Sequence, residues 1–221
     1  MTDTMTRFSR CFIALLAFML AAPAVLAGQA LDRSQALQGL TSSSPELRRA
    51  ALSRLAQVAT QEDTAVLLQA LHDDDQGARS LAEAALWRLW SRADDPKTEK
   101  LFQRGVRQLS GGSIRDAVVT FGKVIGRRPD FAEAWNKRAT AYFLAGEYRK
   151  SLRDCDEVMK RNPNHFGALA GYGQIYLRLE QPERALLYFQ RALAINPNLD
   201  GVTATIEQLE RLVAERRERS I

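Results

Sequence analysis

Residues 134–148 read "AWNKRATAYFLAGEY", which sets a Trp, a small Ala and a Tyr at positions 135, 139 and 142. Positions i, i+4 and i+7 share one face of an α-helix, so Trp135 and Tyr142 flank a notch at Ala139. A bulky side chain from a paired helix fills such a notch without leaving a void. The pattern therefore predicts helix-on-helix packing, and its purpose is geometry rather than chemistry.

Working outward, Pro129, Pro163 and Pro197 are evenly spaced, and other columns keep the same ruler. Leu101, Trp135 and Leu169 correspond; so do Gly105, Ala139 and Gly173; so do Ala117, Ser151 and Ala185; so do Phe121, Cys155 and Phe189; so do Val124, Val158 and Ala192. A fixed period of this length is the signature of a stacked-repeat architecture. Each unit reads as two helices, the first starting near 98, 132 and 166. These break at "SGGS", "LAGEY" and "LEQPE", where Gly111, Gly112, Gly146 and Pro182 supply turn or helix-start chemistry. The second helix ends at "GRRPD", "KRNPN" and "AINPN", because proline cannot continue the helix before it. Asn162 and Asn196 are expected there in the left-handed conformation common just past a helix end.

The segments "AWNKRATAYFLAGEYRKSLRDCDEVMKRNPN" and "ALAGYGQIYLRLEQPERALLYFQRALAINPN" closely resemble tetratricopeptide repeats, whose 34-residue pattern carries W, L, G, Y, then A, F, A, P. The third copy matches at Leu169, Tyr172, Gly173, Tyr176, Ala185, Phe189, Ala192 and Pro197. The middle copy departs at Arg138, Ser151 and Cys155, and the first, with Arg104 and Gln108 at apolar and ring positions, is the most diverged. The resemblance covers 98–199, in units 98–131, 132–165 and 166–199, and implies an all-α, right-handed helical-repeat solenoid. Apolar residues at 202, 206, 209 and 213 then form the stripe of a capping helix over 200–221, whose outer face carries Glu207, Arg211, Glu215 and Arg216.

Upstream, "LTSSSPELRRAALSRLAQV" and "LHDDDQGARSLAEAALWRL" align with an offset of 31, pairing Leu40 with Leu71, Arg48 with Arg79, Ala51 with Ala82 and Leu55 with Leu86. Each helix follows a Ser- or Asp-rich turn suited to capping, and Pro45 fits a first helical position. Residues 28–95 thus resemble short HEAT-like helical repeats; a single irregular hairpin module is the alternative, with "SRADDPK", 91–97, as the junction. Residues 1–27 have the build of a secretory signal: Arg7 and Arg10, an apolar run from Cys11 to Ala27, and small residues near Ala27. That run, with Pro23 inside it, is short of the roughly 20 residues a spanning helix needs. Cleavage is the expectation, with retention as an anchor the alternative.

Cleavage removes Cys11 and leaves Cys155 alone, so packing rather than a disulfide must hold the mature chain. The net charge of +5 falls to +4 without Arg7, Arg10 and Asp3. An excess this small, spread along the chain, is a solvated surface and argues against nucleic acid. His72 beside Asp73–Asp75 reads as capping rather than as a metal shell. His165, in an inter-repeat turn, is expected at the surface, and Cys155, in the Phe121/Phe189 column, is expected to be a buried small hydrophobe. No nucleophile elbow, phosphate loop or zinc motif occurs. Catalytic residues, metal ligands and cofactors are therefore all expected to be none.

The resemblance implies a concave wall built from the first helices, lined here by Phe102, Gln103, Val106 and Leu109, then Asn136, Lys137, Thr140 and Phe143, then Gly167, Ala170, Gly171, Gln174, Leu177 and Arg178. The binding residues expected from this set are Phe102, Val106, Asn136, Lys137, Thr140, Phe143, Gln174 and Arg178. Apolar anchors with Lys137 and Arg178 suit a peptide or a partner helix. The family's carboxylate clamp is not expected, since Phe102, Val106, Gly167 and Gly171 stand at its positions. The chain's own helices filling the wall is the competing reading. The expectation is an exported, periplasmic or secreted, non-enzymatic scaffold binding another protein or peptide in the bacterial cell envelope; a self-associating structural subunit is the alternative.

Overall fold

The structure, a computed structural model, describes residues 30–219. The secretory signal assigned to residues 1–27 lies outside the described residues. Every regular element among the described residues is helical, and none of these helices is long and apolar enough to cross a membrane.

Four helices come first: α1 (Arg33–Gly39), α2 (Pro45–Val58), α3 (Thr64–Ala70), which follows a 3-10 turn over Gln61–Asp63, and α4 (Gln76–Trp90). α1 and α3 start at Arg33 and Thr64, α2 and α4 at Pro45 and Gln76. Both intervals equal the offset seen in the side chains, which is therefore the period of a helix pair. Asp32, Ser44 and Asp75 each accept a backbone N–H of the helix that follows, which satisfies donors that no preceding turn can reach. Arg48 joins the two pairs: its guanidinium holds both Asp73 oxygens at 2.7 Å and the Ser42 carbonyl at 3.0 Å. Arg79, one period later, donates to the Asp73 carbonyl and then reaches Asn198, at 2.7 Å, in the turn after the last repeat.

Three helix pairs follow: α5 (Pro96–Ser110) with α6 (Ile114–Arg127), α7 (Ala132–Leu144) with α8 (Tyr148–Arg161), and α9 (Phe166–Arg178) with α10 (Pro182–Ile195); α11 (Asp200–Glu218) closes the series. α5 begins slightly before its expected start, because Asp95 caps it through the Lys97 and Thr98 amides and Pro96 fits the first turn. Within the pairs, volumes compensate across the repeats. A Cβ on Gly105 would stand 2.7 Å from Phe121, and one on Gly173 would stand 2.6 Å from Phe189. In the middle repeat the notch is Ala139 and the facing residue shrinks to Cys155, in one buried cluster with Tyr172 and Ile175. Ser151, the other small residue of that repeat, donates to the Ala139 carbonyl at 2.7 Å. Arg138, which departs from the apolar column, makes a two-bond pair with Asp154 at 2.7 and 2.8 Å.

Backbone geometry differs from expectation at one kind of site. Asn162 and Asn196 end α8 and α10 with φ of −139° and −124°, so neither is left-handed. The following proline disfavours helical geometry and pushes each towards extended backbone. Their side chains instead accept the amides of Asn164 and Asn198. Positive φ falls at Asp94 (59°) in the junction before α5 and in the turns inside the repeats, at Gly112 (79°), Gly146 (75°) and Glu180 (55°), one position per repeat on the same ruler as the prolines. On α11, Ile206, Leu209 and Val213 are buried, as the stripe predicts, with Ile206 and Leu209 in one cluster with Ala185 and Phe189 of α10.

Candidate functional site

The first helices α5, α7 and α9 lie side by side, each touching the next, and form one wall of the array. The eight residues expected to line it do not share one environment. Phe102 is 1 % exposed and packs between Phe121 and Phe131, with ring centroids 5.8 and 5.0 Å away. It belongs to the core of the first repeat rather than to a binding surface, because Phe131 and Ala93 close over it. Val106 is half-buried against the same cluster. Asn136 is buried too, its amide donating to Glu133 at 3.1 Å.

Lys137 is also not free to read a ligand. Its ammonium lies 3.0 Å from the fully buried Glu133 carboxylate, one helical turn away, and 5.6 Å from the centre of the Trp87 indole. Glu133 is the hub of this corner: its Oε2 also accepts from His165 Nε2 at 2.9 Å. His165 is 0 % exposed, which corrects the surface position expected for it. Its Nδ1 accepts the Ala168 amide at 3.1 Å and caps α9, so the proton given to Glu133 sits on Nε2. Burial alone would push the Glu133 carboxyl up. The hydrogen bond from His165 and the charges facing it, Lys137 included, outweigh burial and hold it below the usual carboxylate range.

The N-terminal helices cover this corner. Trp90 stacks on the His165 ring at 4.8 Å, and Trp87 meets His165 and Phe166 edge-on at 5.5 and 5.2 Å. Phe166, fully buried, joins the core of α1–α4. Gly167 leaves room for the indole, since a Cβ there would stand 2.4 Å from Trp87. The sequence did signal this: "ALWRLW", 85–90, is apolar on more than one face, which marks a helix buried from two sides.

The far half of the wall stays open. Thr140, Gln174, Leu144 and Arg178 are exposed, Leu144 at 56 %, and Phe143 is half-buried, its ring beside Tyr148. The Arg178 guanidinium lies 6.0 Å from the Phe143 ring centre, within cation–π range. Of the eight expected residues, then, the structure brings Thr140, Phe143, Gln174 and Arg178 together on accessible surface. Among the described residues, no group of His, Cys, Asp and Glu is placed to hold a metal. Burial pushes the Cys155 thiol up to about 12, far from the range of a nucleophile.

Stacked helix pairs with a fixed period and a large/small alternation define a helical-repeat fold. Tetratricopeptide-repeat family models match residues 102–157 and 130–198, so this part of the chain consists of tetratricopeptide repeats. A TPR repeat-containing protein of Rhizobium etli is 41% identical over 75 residues, 34% of this chain and 37% of that protein. A small glutamine-rich tetratricopeptide repeat-containing protein of Dictyostelium discoideum is 31% identical over 126 residues, 56% of this chain and 38% of that protein. The chain thus spans under two fifths of either relative. Among solved structures, the first TPR domain of Spaghetti (RPAP3) bound to an HSP90 peptide has a TM-score of 0.52 at 22% identity, covering 55% of this chain and 96% of that one. MamA has a TM-score of 0.51 at 18% identity, covering 66% of this chain and 89% of that one.

Proposed function

We propose that the chain is a non-enzymatic adaptor of the bacterial cell envelope that binds a segment of another protein on the open half of the first-helix wall. The observation carrying this reading is the accessible strip of Thr140, Leu144, Gln174 and Arg178 beside the Phe143 ring. An apolar anchor next to an edge of accessible polar groups suits a polypeptide: burial of the anchor gives affinity and the guanidinium fixes orientation. A neighbour of the same fold bound to a peptide supports the ligand class. Export is supported by the composition of residues 1–27. The HEAT-like class of residues 28–95 is supported by the regular helix period and by Arg48 and Arg79 in equivalent roles.

The test is capture of partners from an envelope extract by the wild type and by Thr140→Arg/Arg178→Glu. Neither side chain belongs to the buried core, so the melting temperature should hold within the small range of surface substitutions. Loss of the captured species at unchanged stability is the expected result. An identical partner profile removes the wall from the account.

A further inference from the structure

The chain's positive charge is concentrated in one hairpin. Residues 96–128, α5 and α6 with their turns, hold eight Lys and Arg against two acids, Glu99 and Asp116, a net of +6 where the whole chain carries +5. This corrects the even spread expected from so small an excess. On α5, Lys97, Lys100, Arg104 and Arg107 recur at spacings of three, four and three, which sets them on one helix face. All four are exposed, and the opposite face buries Thr98, Phe102 and Gly105. The row runs about 15 Å along the helix. On α6, Arg115, Lys123 and Arg127 are exposed, with Val119, 57 % exposed, one turn from both Arg115 and Lys123. None of these seven cations makes a side-chain hydrogen bond or ion pair among the described residues. By contrast, Arg48, Arg138 and Arg161 each lie within 2.7 Å of a carboxylate oxygen. The repeat ruler explains the difference at Arg104. Arg138, one period later, is held by Asp154, whereas Thr120 stands one period before Asp154 and offers Arg104 no charge.

We infer that the exposed face of the α5–α6 hairpin docks the array on a bilayer surface rich in anionic phospholipid. Unpaired like charges on two adjacent helices repel one another, and a polyanion relieves that repulsion. A row of this size on the outer face of an amphipathic helix is the composition that attracts anionic headgroups. A lipid surface is fluid, so its phosphates gather under cations held at helical spacing. An acidic protein has to match that spacing with carboxylates of its own. Lys and Arg side chains reach the headgroups while the helix backbone stays in water. Val119 adds an apolar contact at headgroup depth, for which an acidic peptide or a nucleic-acid backbone has no use. The strip of Thr140, Gln174 and Arg178 belongs to α7 and α9, outside this hairpin. The inference therefore goes beyond the open-half reading and stands or falls separately from it.

The experiment is vesicle co-sedimentation of the chain from Gly28 onward, because Leu31–Ile221 forms one compact unit and the apolar run within residues 1–27 would hold to any bilayer. Vesicles of phosphatidylcholine alone are compared with an equimolar mixture of phosphatidylcholine and phosphatidylglycerol. The chain is expected to bind the mixed vesicles, less so as salt rises, and to leave the neutral ones in suspension. Lys100→Glu/Arg104→Glu on α5 and Lys123→Glu/Arg127→Glu on α6 each reverse two exposed charges that have no partner, so the melting temperature should hold. Each pair is expected to weaken binding roughly 20-fold or more. Arg88→Glu/Arg211→Glu, exposed on α4 and α11, changes the net charge equally and should leave binding as it was. No binding to the mixed vesicles, equal binding to both kinds, wild-type affinity in either hairpin variant, or an equal loss in the Arg88/Arg211 variant overturns the inference. Capture by poly-glutamate or by duplex DNA in place of the mixed vesicles also overturns it, and assigns the face to an acidic protein or to nucleic acid.

Discussion

His165 Nε2 stands 2.9 Å from Glu133 Oε2 with both side chains fully buried, so the turn that opens the third repeat is bonded to the first turn of the second repeat's first helix. The bond reaches across nearly a whole repeat and makes adjacent units share one polar anchor. In a linear array, where each unit leans only on its neighbours, such an interface contact sets the coupling between units.

The anchor has a pH signature. Glu133 is held below its ordinary value of 4.5 in the folded chain, so its contribution is complete above about pH 4.5 and is lost as pH falls through the lower folded value. Glu133→Gln removes the titration and leaves Lys137 without its partner. Denaturant unfolding should show the variant less stable by about 1–3 kcal/mol at pH 7, with the gap narrowing steadily below pH 4.5. A gap that stays constant into acid would show that Glu133 is not the titrating group.

The alternation of volumes predicts a coupling between two residues. Gly173→Ala puts a methyl within 2.6 Å of Phe189, and overpacking of this kind costs about 1–3 kcal/mol. In a Phe189→Leu background the same methyl has room, and the cost of Gly173→Ala should shrink. A thermal-melt double-mutant cycle reads the difference; strict additivity would mean that the two residues do not face each other.

Glu180 holds the left-handed turn position that Gly112 and Gly146 occupy in the other repeats. A side chain there costs roughly 1–2 kcal/mol, part of which glycine's greater freedom in the unfolded chain cancels. Glu180→Gly is therefore expected to raise stability by up to about 1 kcal/mol, seen as a higher melting temperature, whereas glycine at a helical position lowers it. A decrease would contradict the turn geometry.

Cys155 should be inert in the folded protein. With the thiol pushed up to about 12 by burial and by Asp154 and Asp156 beside it, almost no thiolate exists near neutral pH. Iodoacetamide is expected to label it only after denaturant is added. Labelling at the same rate with and without denaturant would place Cys155 outside the packed interior.

Much of the repeat region was readable because its signals are local and recur. Prolines at 129, 163 and 197 mark where second helices stop, and the Gly105/Phe121 and Gly173/Phe189 columns mark which faces meet. The exposure of the first-helix wall was half readable. Thr140, Phe143, Gln174 and Arg178 fall where the repeat pattern puts them, but Phe102 is drawn into a cluster with Phe131 and Ala93, and Lys137 is taken by Glu133. His165 was misplaced because its partners, Glu133 and Trp90, come from elsewhere in the chain, and no periodicity encodes a contact between the N-terminal helices and the tetratricopeptide repeats. The two-sided apolar run of α4 and the lone first-turn Gly167 were the available hints. Each gains meaning only once Trp87 is seen filling the space above that glycine.

Site-specific photo-crosslinking in whole cells tests the proposed binding surface most directly, with a photoreactive residue at Thr140 or Gln174 on the open wall and at Val119 on α6, which is 57 % exposed. Discrete adducts from 140 and 174, with none from 119, are the predicted result. Adducts from 119 alone would contradict the account and move the binding surface to the other side of the array.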